Sequence, residues 1–112
     1  MHKFNYRSPR YVVDLPVQLI LDGLVIDARC REISREGMQL EVSQSLPANF
    51  EGLALLEWRG SRLELRVRVA HTGSPQDAMR FLFESEKERS AIAALVARLA
   101  SRSGEPGLVP VR

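Results

Sequence analysis

The alternation of apolar and polar side chains is the feature that most limits the fold of this chain. It is clearest in the segment RLELRVRVAH, where apolar Leu63, Leu65, Val67 and Val69 are separated by charged residues. A period of two places successive side chains on opposite faces of a strand. The segment therefore predicts a β-strand with one buried face, and His71 ends it with the parity of the inward side chains.

The same period predicts a hairpin in the first third of the chain. The segment YVVDLPVQLIL alternates, Asp22-Gly23 is a typical two-residue turn, and LVIDARCRE alternates on the way back. Pro16 lacks an N–H donor, so we expect it at a sheet edge or a bulge. Ile33 breaks the parity of the second strand, which should therefore end or bulge near Glu32.

Three further segments have strand character, and one segment near the end has a helical period. GMQLEVS, FEGLALLEWRG and AMRFLFE are the predicted third, fourth and sixth strands. SEKERSAIAALVARLASRSG places four apolar residues on one helical face: Ile92, Leu95, Val96 and Leu99. Ser85 and Glu88 match a capping box at the start of this helix, and Gly104 is a plausible stop.

Six short strands followed by one helix predict a mainly β chain. We expect a six-stranded antiparallel β-barrel, or a strongly curled sheet, with a C-terminal α-helix, because closure hides the strand edges that an open sheet exposes. A length of 112 residues suits one domain with one core. The predicted organisation is a flexible N-terminal arm over 1–10, the barrel and helix over 11–103, and a loose tail over 104–112.

The composition excludes several classes of protein. The single cysteine, Cys30, excludes an internal disulfide, and its place in an apolar alternation predicts a buried, inert thiol. The N-terminal residues lack the apolar stretch of a signal peptide, and no apolar run approaches the roughly 20 residues of a membrane span. We therefore predict a cytoplasmic protein without membrane insertion. A net charge of +2 permits an anionic ligand without requiring nucleic acid.

The residues needed for catalysis are not recognisable in the sequence. A hydrolase or transferase needs a base beside a nucleophile or a metal. The two histidines are His2, near the terminus, and His71, which has no acidic or serine partner at a recognisable spacing. No metal-ligand spacing, GxxxxGK[ST] loop or GxGxxG loop is present. The sequence thus favours a binding module over an enzyme, with no metal and no cofactor.

Two polar clusters remain as candidates for a binding site. NYRSPRY precedes the first strand and contains Arg7 and Arg10, whereas REISREG follows the second strand and contains Glu32, Ser34 and Gly37. In an antiparallel meander the start of the first strand lies beside the end of the second. Arginine forks pair with phosphates and stack on bases, and a carboxylate can accept hydrogen bonds from the N1 and N2 donors of guanine. The alternative is that the arginines are solvated and that the serine and glycine only form a turn.

These two motifs, their order and the final helix resemble the PilZ domain, a bacterial receptor for the second messenger cyclic di-GMP. That family carries Arg-x-x-x-Arg before its first strand and Asp/Asn-x-Ser-x-x-Gly after its second, on a six-stranded antiparallel barrel with a C-terminal helix. The resemblance runs from about Asn5 to Arg102. It implies that the arginines contact phosphates and guanines of the ligand, and that the second motif holds a guanine edge.

The resemblance can be carried over position by position. Three residues match outright: Arg10, Ser34 and Gly37. Tyr6 stands where the first arginine is expected, Arg7 lies one position further along, and Glu32 replaces Asp or Asn. Arg7 could replace the missing arginine, whereas Tyr6 and His71 could stack on a base. For His71 a polar strand end in solvent is the alternative.

Three functions are compatible with these residues. The first is a cyclic di-GMP receptor that relays the signal to a protein partner in motility, type IV pilus or biofilm systems, by ordering the N-terminal arm over the barrel rim. The second is a PilZ-like adaptor that does not bind the nucleotide and acts through protein contacts. The third is a barrel that binds single-stranded nucleic acid. The third is the least favoured, because glutamates dilute the basic strands and aromatic residues are only 6% of the chain.

Overall fold

A computed structural model of the chain describes residues 9–44, 46–73, 76–101 and 109–111. Its elements are seven strands and one helix: β1 (Arg10–Leu21), β2 (Leu24–Ile33), β3 (Gly37–Val42), β4 (Glu51–Trp58), β5 (Ser61–His71), β6 (Asp77–Leu82), α1 (Glu86–Ser101) and β7 (Val109–Val111). The six predicted strands and the predicted helix are all present, and β7 is an additional short strand.

The six long strands close on themselves. They follow one another in the order β2-β3-β6-β5-β4-β1, and β1 pairs again with β2. All of these pairings are antiparallel. The predicted six-stranded antiparallel barrel with a C-terminal helix is therefore confirmed, and each strand of the barrel is paired on both sides over at least part of its length.

The core is filled by the inward side chains of the strands and by one face of α1. Leu19, Leu40 and Val67 are fully buried, as are Ile92 and Leu99 of the helix. The apolar face of α1 is the predicted one: Ile92, Leu95, Val96 and Leu99. Because this stripe is buried with the barrel residues, barrel and helix share a single core.

The start of α1 is capped by its own side chains. The backbone N–H of Glu88 donates to Ser85 Oγ at 3.2 Å, and the backbone N–H of Glu84 donates to Glu88 Oε1 at 2.9 Å. The first bond satisfies a donor that a helix start leaves free, and the second ties the residue before the cap to the first turn. The predicted stop at Gly104 lies outside the described residues. No helix in the described part of the chain is long and apolar enough to cross a membrane.

The two termini differ from the sequence prediction where the structure describes them. Val109–Val111, expected in a loose tail, pairs antiparallel with Arg10–Val12, so that Arg10 is the first residue of β1 rather than the last of an arm. The pairing is possible because β4 pairs with β1 only from Val17 onwards, which leaves backbone donors and acceptors available at the start of β1. The remainder of the predicted arm and tail, 1–8, 102–108 and 112, lies outside the described residues.

Bulges near the start of β1 and the end of β2 change which side chains face the core. The register of β1 with β2 shifts between Val12 and Leu15, and that of β2 with β3 shifts between Cys30 and Glu32. An extra residue in a strand reverses the faces of the residues that follow it. Ile33 is consequently fully buried although it breaks the alternation, and Glu32 turns towards the surface. The bulge predicted near Glu32 is thus present.

The burial of Cys30 predicts how its thiol reacts and ionises. Its thiol is fully buried and donates to the backbone carbonyl of Glu32 at 3.2 Å, and burial raises the pKa from 9.0 to about 12. We expect no reaction of native protein with an aromatic disulfide reagent at pH 8, and complete reaction in urea. The neutral buried thiol stabilises the fold below pH 9, and this contribution is lost as pH rises from 9.0 towards 12. Between pH 8 and pH 10 the free energy of unfolding, measured with urea, should therefore fall less for Cys30→Ala than for wild type. Equal falls in the two proteins would contradict the raised pKa of Cys30.

Candidate functional site

Four of the predicted site residues line one cavity of about 380 Å³: Arg10, Glu32, Ser34 and Gly37. The pairing of Tyr11 with Ile33 and of Val12 with Glu32 places the start of β1 beside the end of β2. The turn between β2 and β3 then forms the adjoining wall. The structure thus brings Arg10 of the first polar cluster beside the second cluster, as the meander predicted.

Arg10 and Glu32 form an ion pair within this cavity. Arg10 Nη1 lies 3.3 Å from Glu32 Oε1, and the two side chains are 36% and 25% exposed. The contact lacks hydrogen-bond geometry, and Glu32 Oε1 is buried without a hydrogen-bond partner among the residues that the structure describes. A buried acceptor without a donor is costly. The pair is therefore incompletely satisfied, and a ligand that brings N–H donors to Glu32 would complete it.

The hydroxyl of Ser34 is used by the turn that connects β2 with β3. Ser34 Oγ accepts from the backbone N–H groups of Glu36 at 3.1 Å and Gly37 at 3.3 Å. The backbone N–H of Ser34 donates to the Gly37 carbonyl at 2.9 Å, and that of Phe81 donates to the Glu36 carbonyl at 3.0 Å. Ser34 itself is buried. Local bonds of this kind are typical of serine in turns, and here they hold the turn against β6.

Gly37 is required by strand packing. A Cβ at this position would overlap the backbone carbonyl of Met79 on β6. Gly37 lacks the positive φ that the turn interpretation assumed; the glycines with positive φ in the described chain are Gly23, Gly60 and Gly73. The close backbone approach predicted at Gly37 is present, but its partner is a neighbouring strand.

His71 is the predicted site residue that the structure describes outside this cavity. His71 is exposed at the end of β5, where the pairing with β6 shifts register between Val69 and His71, and Ala70 lines the cavity instead. The ring of His71 leans towards Gly73, since a Cβ on that glycine would lie 3.5 Å from Nε2. Tyr6 and Arg7 lie outside the described residues.

Three polar residues of the cavity were missed by the sequence analysis: Glu36 in the turn between β2 and β3, Gln39 on β3 and Arg80 on β6. The alternation of AMRFLFE places Arg80 on the outward face, since Met79 and Phe81 point inward. Its place at the site follows from the pairing of Gly37 with Arg80. That pairing joins strands separated by about half of the barrel sequence, so no local signal could have predicted it.

A larger groove of about 620 Å³ lies elsewhere on the barrel and shares no lining residue with this cavity. Polar side chains on its surface already have partners: Gln18 donates to Asp27 at 3.2 Å, and Arg29 pairs with Asp14 at 2.8 Å. The described residues contain no group of three His, Cys, Asp or Glu that could hold a metal ion. We therefore take the smaller cavity, with its incompletely satisfied carboxylate, as the candidate site.

Comparisons with known proteins agree with this architecture. The PilZ domain family model matches residues 5–98. Among solved structures, the PilZ domain of CeSA from a cellulose-synthesizing bacterium superposes with a TM-score of 0.70 at 15% identity, covering 80% of this chain and 96% of that one. At this identity the superposition shows the fold alone. No curated protein sequence gives a significant match. The chain belongs to the PilZ domain family, whose members are in general cyclic di-GMP receptor or adaptor domains and which is not a known enzyme family.

Proposed function

We propose that this chain is a bacterial cyclic di-GMP-binding receptor domain that acts in the cytoplasm and relays the signal to a protein partner. The observation that carries the proposal is the cavity shared by Arg10 and Glu32, in which a cation fork and an incompletely satisfied carboxylate lie 3.3 Å apart. These are the two groups that a guanine nucleotide requires, one for a phosphate and one for the guanine edge.

Binding exchanges partners within the ion pair. Arg10 turns its planar fork from Glu32 to a phosphate of the ligand, which uncovers the Glu32 carboxylate. The two oxygens of that carboxylate then accept from the N1 and N2 donors of a guanine. A charge-assisted hydrogen bond contributes about 1.5–3 kcal/mol net. The gain from the ligand must exceed the loss of the Arg10–Glu32 contact, which is partly exposed and therefore weak.

The signal passes through the N-terminal arm. Arg10 begins β1, so a ligand held by Arg10 also fixes the path of the chain that precedes it. Arg7 and Tyr6 belong to that chain, and the family motif suggests them as further contacts to the nucleotide. A partner in motility, pilus or biofilm systems then recognises the arm in its ligand-bound position.

A second candidate is an adaptor that does not bind the nucleotide. The ion pair between Arg10 and Glu32 favours it, because each side chain already neutralises the other, and Tyr6 stands in place of an arginine. Nucleic-acid binding is less favoured by the geometry, because several outward arginines of the barrel pair with carboxylates: Arg29, Arg31, Arg66 and Arg68.

Titration calorimetry with cyclic di-GMP, with GTP as the control ligand, tests the proposal. We expect selective binding by wild type and a ten- to hundredfold loss of affinity in Arg10→Ala, the loss that corresponds to one charge-assisted bond. The matched control is Arg62→Ala, since Arg62 is exposed on β5 and lines the other groove. Absence of binding by wild type would leave the adaptor as the function; equal affinities for wild type and Arg10→Ala would refute the role of Arg10.

A further inference from the structure

Arg80 occupies the wall of the candidate cavity that β6 provides. It is exposed between the buried residues Met79 and Phe81, and it lines the same cavity as Arg10 and Glu32. In the barrel, β2 and β3 separate β1 from β6. Arg10 and Arg80 therefore approach the cavity from different sides.

The guanidinium of Arg80 has no protein partner within the described part of the chain. Arg66 and Arg68, on the neighbouring β5, both contact Glu51, and Arg10 contacts Glu32. No ion pair, side-chain hydrogen bond or ring contact to a described residue involves Arg80. An arginine fork carries five N–H donors in a fixed plane. At Arg80 these donors remain available to an anion in the cavity.

The neighbour of Arg80 across the sheet adds positive charge. Arg68 lies directly opposite Arg80 in the register of β5 with β6. Like charges in directly opposed positions destabilise a sheet. Glu51 neutralises Arg68 only in part, because its contact with Arg68 is 3.6 Å long and it also contacts Arg66 at 3.2 Å. A bound anion would relieve the repulsion that the protein leaves at this wall.

We propose that Arg80 is an anion-binding residue of this site and holds a phosphate of the nucleotide across the cavity from Arg10. The inference rests on the proposed function. A cyclic dinucleotide carries two phosphodiester groups, each with one negative charge, and two separate guanidinium forks match that arrangement. Arg80 thus supplies a second fork in a chain whose N-terminal motif carries Tyr6 in place of an arginine.

Titration with cyclic di-GMP on four proteins tests the inference: wild type, Arg80→Ala, Arg80→Lys and Arg62→Ala. We expect a ten- to hundredfold loss of affinity in Arg80→Ala. The affinity of Arg80→Lys should lie between those of wild type and Arg80→Ala, because lysine keeps the charge but lacks the planar fork. Arg62→Ala should bind as wild type does. Affinity should also depend less on salt in Arg80→Ala than in wild type, because one ionic contact is missing.

Stability separates a lost contact from a damaged fold. Arg80 is exposed and has a cation opposite it, so both Arg80 variants should melt close to wild type. Wild-type affinity in Arg80→Ala, together with weakened binding in Arg10→Ala, would overturn the role of Arg80 and leave the proposed function intact. Absence of cyclic di-GMP binding by wild type would overturn the proposed function, and this inference with it.

Discussion

Replacing Gly37 by alanine should cost about 3 kcal/mol or more of the free energy of unfolding. The new Cβ would overlap the carbonyl oxygen of Met79, a backbone atom held in place by the β3–β6 ladder. A flexible side chain could move aside, but this carbonyl cannot move without breaking the pairing of Met38 with Met79. Urea unfolding, followed by the fluorescence of Trp58, measures the loss.

Two other glycines provide the control. Gly23 and Gly60 have φ of +81°, and a Cβ added at either would meet no atom within 4 Å, so alanine there meets only backbone strain. That strain costs about 1 kcal/mol. The loss in Gly37→Ala should therefore clearly exceed the losses in Gly23→Ala and Gly60→Ala. Equal losses in all three would show that β3 and β6 can separate at low cost.

This result decides how the motif can be tested. Gly37 matches the family motif. If Gly37→Ala no longer binds the nucleotide, the loss could therefore be mistaken for evidence that Gly37 contacts the ligand. The packing against β6 predicts the same loss of binding from damage to the barrel. Ligand contact is therefore better tested at Arg10 and Arg80, whose side chains are outward and whose removal leaves the core unchanged.

Local patterns were sufficient for the elements of this fold. The alternation of β5 and the apolar stripe of α1 each depend on residues close in sequence, and both are present as predicted. The parity break at Ile33 also carried a correct signal for the bulge that turns Glu32 outward. Where one strand meets its sequence neighbour, as at the start of β1 and the end of β2, the proximity of Arg10 to Glu32 could be predicted too.

Pairings between distant segments could not be predicted in this way. Arg80 reaches the cavity because β6 pairs with β3, a choice made by the closure of the whole barrel. His71 has inward parity in the sequence, but a register shift after Val69 leaves it exposed, and no residue type marks that shift. The strand Val109–Val111 has too few residues to show a period, and Pro110 argues locally against a strand.

Replacing Ser34 by alanine should cost about 1–3 kcal/mol of the free energy of unfolding. Ser34 Oγ is the acceptor for two backbone N–H groups, those of Glu36 and Gly37, and Ser34 is only 6% exposed. Alanine leaves both donors without this acceptor. Glu36 is exposed and Gly37 is half-buried, so water replaces part of each bond, and the net loss is about 0.5–1.5 kcal/mol per bond. Because the turn is bonded to Phe81, the same change should loosen the contact of β3 with β6.

Two variants separate the hydroxyl from the side-chain position. Ser34→Thr keeps an oxygen at the same place, so it should recover most of the stability that Ser34→Ala loses. Ser90→Ala removes an exposed serine of α1 and should change stability by about 0.5 kcal/mol or less. If Ser34→Ala is as stable as wild type but no longer binds cyclic di-GMP, the hydroxyl contacts the ligand and the turn keeps its structure without it. The other outcome is that Ser34→Ala is less stable than wild type and Ser34→Thr restores both stability and binding. In that case the Ser-x-x-Gly part of the motif shapes the cavity, and the nucleotide is contacted by Arg10 and Glu32.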